Sequence, residues 1–207
     1  MEAHEWDQRY AEKELVWSAG PNQFVARECA GLTPGAAVDL AAGEGRNAIW
    51  LARQGWDATA VDFSQVALDK GRQVAGDTPV HWVCSDVTTW VADRSYDLVV
   101  IAYLQLAAPG RAAAVRRGFE ALKPGGTFLL VAHDSTNLTE GVGGPQDPAV
   151  LMTAQDVLAD LAGLDFDVVT AERVSRVVTA AEPPGSHAHE GVVEQVAYDC
   201  LVRLVRR

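Results

Sequence analysis

Two glycines and two acids mark the first place in this sequence where chemistry is expected. Gly43 and Gly45 follow an apolar run that begins at Ala36 and precede a stretch of helix formers, so a strand should pass into a helix there. At such a turn the backbone bends tightly, and a residue without a Cβ lets a ligand approach. Asp39 lies inside the apolar run, and Asp62 ends the next one. Together these residues predict a ligand site where two strands end.

The kind of ligand is left open by the glycines alone. The letters GEGRNA, residues 43–48, fit the dinucleotide fingerprint G-x-G-x-x-A, with Asp62 as the ribose-binding acid about twenty residues on. On this fragment NAD is allowed, and so is a glycine turn without a ligand. Asp39 favours a ligand with an ammonium group, because a pyrophosphate gains nothing from another negative charge. Asp86, after the third strand pattern, is placed to accept a hydrogen bond from the amine of adenine or to cap a turn.

A second candidate position lies at the end of the fifth strand pattern. His133 and Asp134 follow the apolar run TFLLVA and are predicted to face the crevice at the strand ends. A histidine there can serve as a general base for a hydroxyl or amine, and His133 with Asp134 is the predicted catalytic pair. The alternative is a histidine that ends a strand and bonds a backbone carbonyl.

The elements that position these residues alternate along the chain. Strand patterns over 36–42, 57–63, 80–86, 96–104 and 127–133 are separated by helical segments, which predicts a parallel sheet covered by helices on both faces. One helical pattern repeats apolar residues at 112, 115, 119 and 122. Thr153 and Asp156 form a predicted capping pair for a later helix. Two long strand patterns close the chain, and the loop between them is too short for a crossover helix, so they should be antiparallel.

Length, composition and charge limit the classes of function that are expected. The 207 residues suit one α/β domain over 1–207, and the net charge of −11 argues against nucleic acid as a partner. The three cysteines, Cys29, Cys84 and Cys200, lack metal or disulfide spacing and are predicted to be buried in a reducing cytosol. The N-terminus has no signal-like start, and no apolar run is long enough to span a membrane. A cytoplasmic protein with a small-molecule substrate is expected, and the oligomeric state stays open.

These segments, taken in order, resemble a known family. VDLAAGEGRNAIWLA, ATAVDFS, WVCSDVTTW, YDLVVIAYLQL and LKPGGTFLLVAHD resemble the ordered motifs of class I S-adenosylmethionine-dependent methyltransferases. WDQRYAEKELVWSAGPNQF and HDSTNLTEGVGGPQDP are similar to segments of small bacterial members of the tellurite-resistance and thiopurine-methyltransferase-like branch. The resemblance implies a Rossmann-like three-layer sandwich with a seven-stranded, mostly parallel sheet whose last strand is antiparallel.

The resemblance also implies a cofactor, S-adenosyl-L-methionine, and its contacts. Gly43 and Gly45 would line the methionine moiety, with Ala41 where the family pattern has its first glycine. Asp62 would hold the ribose hydroxyls and Asp86 the adenine. The remaining residues implied to bind the cofactor are Asp39 at the amine, Phe63 and Val87 on either side of the base, and Ala102 after the fourth strand.

The first 34 residues are expected to form a helical lid segment within the domain. Trp6, Arg9, Tyr10 and Trp17 would cover the cofactor, with Arg9 meeting its carboxylate. Aromatic residues four apart are also common in simple helix packing. His187 and His189 could suggest a metal, but two ligands without a third predict no metal site, so the expected function is methyl transfer without a metal.

The expected acceptor is a small molecule: a thiol, a selenium or tellurium oxyanion, or another small nucleophile. The alternatives are an NAD(P)-dependent oxidoreductase and a cofactor-binding protein without catalysis. Asp39, Asp86 and the final strand pair have no role in the oxidoreductase alternative.

Overall fold

The chain forms one seven-stranded sheet flanked by helices. The structure, a computed structural model, describes residues 3–11, 20–179 and 194–207. The strands are β1 Ala36–Leu40, β2 Asp57–Asp62, β3 Val80–Cys84, β4 Tyr96–Ala102, β5 Leu122–His133, β6 Phe166–Thr179 and β7 Glu194–Arg206. The helices are α1 Ala3–Ala11, α2 Gln23–Cys29, α3 Arg46–Arg53, α4 Gln65–Ala75, α5 Ala108–Glu120, α6 Asn137–Glu140 and α7 Ala154–Asp160.

The strand order is β3-β2-β1-β4-β5-β7-β6. Strands β1 to β5 pair in parallel, whereas β7 is antiparallel to both β5 and β6. This confirms the predicted Rossmann-like sandwich, including its antiparallel last strand. The described helices are too short or too polar to cross a lipid bilayer.

Two apolar cores lie on opposite faces of the sheet. Phe119 of α5 and Val157 of α7 pack with Phe128 on one face. Phe24 of α2 and Leu51 of α3 pack with other sheet residues on the second face. Because both faces of the central strands are covered, the strands read as continuous apolar runs in the sequence.

Parallel pairing brings the carboxyl ends of β1, β2, β4 and β5 to one edge of the sheet. The loop after β1 occupies residues 41–45, and β1 and β4 are neighbours where the strand order changes direction. In open α/β sheets this switch point is where ligands bind. The fold therefore gathers the predicted site residues of these strands at one edge.

Two predictions made from local sequence are wrong. The helical repeat that was predicted to reach Leu122 ends at Glu120, and Leu122 is the first residue of β5. It remains buried because an apolar residue at this junction packs in the same core from either element. Cys84 is exposed, although Cys29 and Cys200 are buried as predicted. Strand β3 is at the edge of the sheet, so its side chains are covered less completely.

The capping pair predicted for α7 is confirmed. The Asp156 backbone N–H donates to Thr153 Oγ1 at 3.3 Å, and the Thr153 N–H donates to Asp156 Oδ2 at 2.8 Å. These reciprocal bonds satisfy two donors at the start of the helix.

Replacing Thr153 by alanine should lower the free energy of unfolding by about 1 kcal/mol, because the cap of α7 loses its side-chain acceptor. Urea unfolding followed by circular dichroism measures this change. Thr139→Ala removes an exposed threonine from α6 and is the matched control, with an expected change within about 0.5 kcal/mol. Equal stability of the two variants would contradict the assigned cap.

Candidate functional site

A cavity of about 80 Å³ lies at the carboxyl edge of the sheet, and we call it the inner cavity. The loops after β1, β2 and β4 and the helix α1 supply its walls. The described lining consists of Trp6, Tyr10, Ala41, Ala42, Arg46, Asn47, Asp62, Phe63, Ala102, Tyr103, Leu104, Gln105 and Leu106.

The glycine turn after β1 has the tight geometry predicted from the sequence. Gly45 has φ of 73° and precedes α3, and a Cβ there would lie 2.6 Å from the ring of Trp82. Gly43 has φ of 56°, and its N–H donates to Asp62 Oδ2 at 2.8 Å. Neither glycine lines the described inner cavity; both hold the loop that does. Their contact with a ligand stays a prediction.

Ala41 adopts a backbone conformation that favours glycine. Its φ is 56°, in the left-handed region, which costs an L-residue about 1–2 kcal/mol relative to the right-handed one. It lines the inner cavity and places only a methyl group there. The residue that stands where the resembled pattern has its first glycine therefore has a glycine-like backbone.

Asp62 is the carboxylate that reaches the inner cavity. It is 4% exposed, and its two oxygens accept the N–H groups of Gly43 and Ser64, each at 2.8 Å. Burial raises its pKa, while these two backbone contacts oppose the rise. Because a carboxylate oxygen accepts more than one hydrogen bond, both oxygens retain capacity for ligand donors.

Asp39 lies deeper than predicted. It is 1% exposed and does not line the described cavities, and neither carboxylate oxygen has a hydrogen-bond partner in the described structure. Burial raises its pKa to about 7, opposed by the backbone of Ala48, by Arg46 and by Asn47 at the start of α3. Its predicted contact with a ligand amine stays a prediction.

The residues predicted to enclose a base do not all line the inner cavity. Phe63 and Ala102 line the inner cavity. Asp86 is exposed, and its Oδ1 accepts the N–H and the hydroxyl of Thr88, both at 2.8 Å, as a turn cap does. Val87 is 6% exposed and packs in the apolar core. Ligand contacts by Asp86 and Val87 stay predictions.

Helix α1 covers the inner cavity with two aromatic rings. The centroids of Trp6 and Tyr10 are 5.7 Å apart, and both residues line the cavity. The hydroxyl of Ser64 donates to Asp7, and Lys70 donates to the carbonyl of Tyr10, so α1 is attached to the α4 region. Of the other residues predicted for the lid, Arg9 lies in α1 without a described side chain, and Trp17 lies outside the described residues.

A second cavity adjoins the inner one, with a volume of about 650 Å³. Arg46, Tyr103 and Gln105 line both cavities, and His133 and Arg176 line the second. None of its described lining residues is Asp or Glu, so we call it the basic cavity. Burial lowers the pKa of Arg46, and the charge of Arg176 adds to the lowering.

The carboxylate beside His133 is Asp199, which the sequence did not indicate. Asp199 faces His133 across the β5–β7 pairing, with Nδ1 to Oδ1 at 3.4 Å. Asp134, the predicted partner, instead accepts the N–H of Thr136 at 2.9 Å and its hydroxyl at 2.7 Å. Asp134 does not line the described cavities. The geometry thus favours Asp199 over Asp134 beside the imidazole.

Arg46, Tyr103 and Asp199 were missed for different reasons. Arg46 lies within the motif GEGRNA, but the dinucleotide pattern that this motif fits specifies the glycines and not the arginine. Tyr103 has φ of 59° at the end of β4, which a tyrosine seldom adopts and which no sequence pattern shows. Asp199 lies 66 positions after His133, so only the strand register brings them together.

The described residues contain no group of three His, Cys, Asp or Glu side chains placed to hold a metal ion. His187 and His189 lie outside these residues. The prediction of no metal therefore stays a prediction for the full chain.

The part of this chain that matches a known family model includes the strands that form the site. Residues 37–126, from β1 into β5, match a family model described as a methyltransferase domain. Thiocyanate methyltransferase 1 of Arabidopsis thaliana is 24% identical over 176 residues, which cover 81% of this chain and 75% of that protein.

Solved structures with the same fold include two with high coverage. TehB from Haemophilus influenzae has a TM-score of 0.70 at 14% identity, covering 98% of this chain and 67% of that chain. The glycopeptide N-methyltransferase MtfA, complexed with S-adenosyl-L-methionine, has a TM-score of 0.61 at 22% identity, covering 88% and 92%. At these identities the likeness concerns the fold.

Asp39→Asn should stabilise the protein at pH 8 by a few kcal/mol, at about 1.4 kcal/mol per unit of pKa shift. The folded pKa is about 7 and the ordinary value is 3.8. Between these values the folded state binds more protons than the unfolded state, so the wild type loses stability as pH rises through that window.

Urea unfolding of both proteins from pH 5 to pH 8 tests this expectation. The difference in unfolding free energy should grow with pH, because asparagine has no charge to bury. Asp62 is present in both proteins, so its own titration cancels. A difference that does not change with pH would show that the charge of Asp39 is not the cause.

Proposed function

Because this chain is a class I S-adenosylmethionine-dependent methyltransferase, we propose that it transfers a methyl group to a small acceptor bound as an anion in the basic cavity. The basic cavity carries the proposal. It joins the inner cavity through Arg46, Tyr103 and Gln105. Donor and acceptor would therefore bind side by side at one edge of the sheet.

The groups that line the inner cavity suit the donor. Asp62 offers a carboxylate with free acceptor capacity for the two ribose hydroxyls. Ala41 and Ala102 leave space near the glycine turn, and Phe63 offers an apolar ring to a flat base. The buried Asp39 adds negative charge below the same loop and favours a cationic group above it.

S-adenosylmethionine supplies an electrophilic methyl group on a positively charged sulfur. Trp6, Tyr10 and Leu106 form apolar walls that exclude water, and a dry cavity favours a transition state in which charge is dispersed. Holding the two reactants in line supplies up to roughly 7–11 kcal/mol without a side-chain acid. The main work of this chain's residues is therefore alignment.

The charges around the basic cavity select the acceptor. Arg46 and Arg176 both line it, and the charge of Arg176 helps to lower the pKa of Arg46. An anion between them would relieve that repulsion and the cost of burying Arg46. This basic lining contrasts with the net charge of −11 of the whole chain. A cation would be repelled from this cavity.

The acceptor class also agrees with the name of one relative. Thiocyanate, after which the Arabidopsis thaliana protein is named, is a small anion. We extend this class, and not that particular substrate, to the present chain. Selenium and tellurium oxyanions and thiolates are also anions and belong to the proposed set.

Asp62→Ala should weaken binding of S-adenosylhomocysteine at least tenfold, because hydrogen bonds to a charged group contribute about 1.5–3 kcal/mol. Isothermal titration of protein freed of copurified ligand measures the change. Asp69→Ala removes an exposed carboxylate from α4 and should bind as the wild type does. Equal affinities would refute the role of Asp62, and a wild type that does not bind would refute the proposed cofactor.

Arg176→Met should raise KM for an anionic acceptor roughly tenfold or more and leave the affinity for S-adenosylhomocysteine unchanged. Arg173→Met is the control, since Arg173 is an exposed arginine of the same strand paired with Glu140. Methylated product is measured with thiocyanate, selenite, tellurite and 2-mercaptoethanol as acceptors.

The acceptor panel separates three outcomes. Use of one or more anions, with the loss confined to Arg176→Met, supports the proposal. Methylation of neutral acceptors only, or equal KM in both arginine variants, contradicts an anion site. Tight binding of S-adenosylhomocysteine without any methylated product identifies a cofactor-binding protein without turnover.

A further inference from the structure

We propose that Asp199 is a positioning residue that holds the imidazole of His133 with Nδ1 protonated, so that Nε2 accepts a proton from the acceptor. The inference rests on the proposed methyl transfer. It extends the acceptors from ready-made anions to weak acids, such as thiols and selenols, that lose their proton inside the basic cavity.

Asp199 is the centre of a buried cluster. It is 0% exposed in the middle of β7. Its Oδ2 accepts the hydroxyl of Tyr103 at 3.0 Å and Nε of Arg176 at 2.8 Å. These donors come from the loop after β4 and from β6, and together with His133 on β5 they place three elements around one carboxylate.

The second oxygen of Asp199 faces the imidazole of His133. Its Oδ1 lies 3.4 Å from Nδ1, and both atoms are buried without a hydrogen-bond partner elsewhere in the described structure. A small rotation of either side chain is enough to make Nδ1–H donate to Oδ1. A buried pair that leaves no other partner for either atom favours that bond strongly.

The ring of His133 is held on two sides. The ring of Tyr103 lies beneath it, with centroids 4.6 Å apart, and a Cβ at Gly144 would lie 3.0 Å from Nδ1. His133 lines the basic cavity although its side chain is only 14% exposed. With Nδ1 directed to Asp199, Nε2 is the nitrogen available to the cavity.

The charges around the imidazole support the proton transfer. The carboxylate of Asp199 stabilises the imidazolium that forms, while Arg46 and Arg176 stabilise the anion left in the cavity. Burial works against ionisation of Asp199, but the contacts with His133, Arg176 and Tyr103 outweigh it and lower its pKa. Burial and the charge of Asp199 raise the pKa of Tyr103 to about 12, so the phenol remains a donor.

The step balances as follows. An acceptor X–H gives its proton to Nε2 of His133, and the electron pair left on X forms the X–CH3 bond. The pair of the breaking S–CH3 bond stays on sulfur, which loses its positive charge. The proton leaves His133 for solvent before the next turnover.

Asp199→Asn tests the positioning directly because the change preserves shape. Tyr103 and Arg176 both donate to the position of Oδ2, so they keep the amide oxygen there. The amide NH2 then faces Nδ1, which must become an acceptor, and the proton moves to Nε2. The variant should therefore carry the wrong tautomer at an otherwise intact site.

Nitrogen-15 NMR of the neutral imidazoles in the free protein reads the tautomer, with His133→Gln identifying the signal. We expect Nδ1–H in the wild type and Nε2–H in Asp199→Asn. Asp134→Asn should leave the tautomer unchanged. Nε2–H in the wild type, or a change in Asp134→Asn and not in Asp199→Asn, would overturn the assignment.

Activity gives an independent measurement. Methylation of 2-mercaptoethanol should fall about 10²-fold or more in Asp199→Asn, whereas methylation of thiocyanate, which has no proton to lose, should change less than about threefold. Equal losses with both acceptors would show a structural role only. A wild type that methylates thiocyanate and no thiol would overturn the base.

Failure of this inference is distinct from failure of the proposed function. If the wild type methylates neither probe and does not bind S-adenosylhomocysteine, the proposed function is wrong. The tautomer measurement still decides whether Asp199 positions His133 in that case.

Discussion

A carboxylate that leaves water loses its hydration, and the free-energy cost must be recovered from hydrogen bonds or a cation. Three buried aspartates of this protein meet that constraint differently. Asp62 accepts two backbone N–H groups, and Asp199 accepts a guanidinium and a phenol. Within the described residues, Asp39 has no hydrogen bond to either oxygen. The pKa is raised for Asp39 and Asp62 and lowered for Asp199, and these differences set the electrostatics around the two cavities.

The crevice between β1 and β4 is bordered by two strained residues. Ala41 follows β1 and Tyr103 follows β4, and both have a left-handed φ without being glycine. Such conformations persist when the surrounding structure determines them, and they are concentrated at functional sites. Here they turn the chain away from the sheet at the switch point and leave room between the two loops. The two strained residues and the inner cavity therefore both lie at the switch point of the strand order.

The sequence was sufficient for the fold because the fold depends on local patterns. Apolar runs separated by helical segments predicted the parallel sheet, and the short final loop predicted the antiparallel strand. Asp62 was placed correctly at the cavity because it ends a strand next to the glycine turn. Asp86 follows a strand too, but it is exposed and its Oδ1 accepts two hydrogen bonds from Thr88, which the residue type alone does not reveal.

Sequence patterns did not predict contacts between strands that are far apart in the chain. Asp134 was chosen for His133 because it is adjacent in the chain, yet side chains of consecutive residues on a strand point to opposite faces. Asp199 shares a face with His133 through the β5–β7 register.

Strand β7 follows β6 along the chain but lies between β5 and β6 in the sheet. Strand β6 therefore contacts the rest of the sheet through its antiparallel pairing with β7. Arg176 and Asp199 belong to this strand pair, whereas Asp62 and the glycine turn belong to the earlier strands. A change confined to the β6–β7 pair can therefore alter the basic cavity while the turn at Asp62 keeps its own hydrogen bonds.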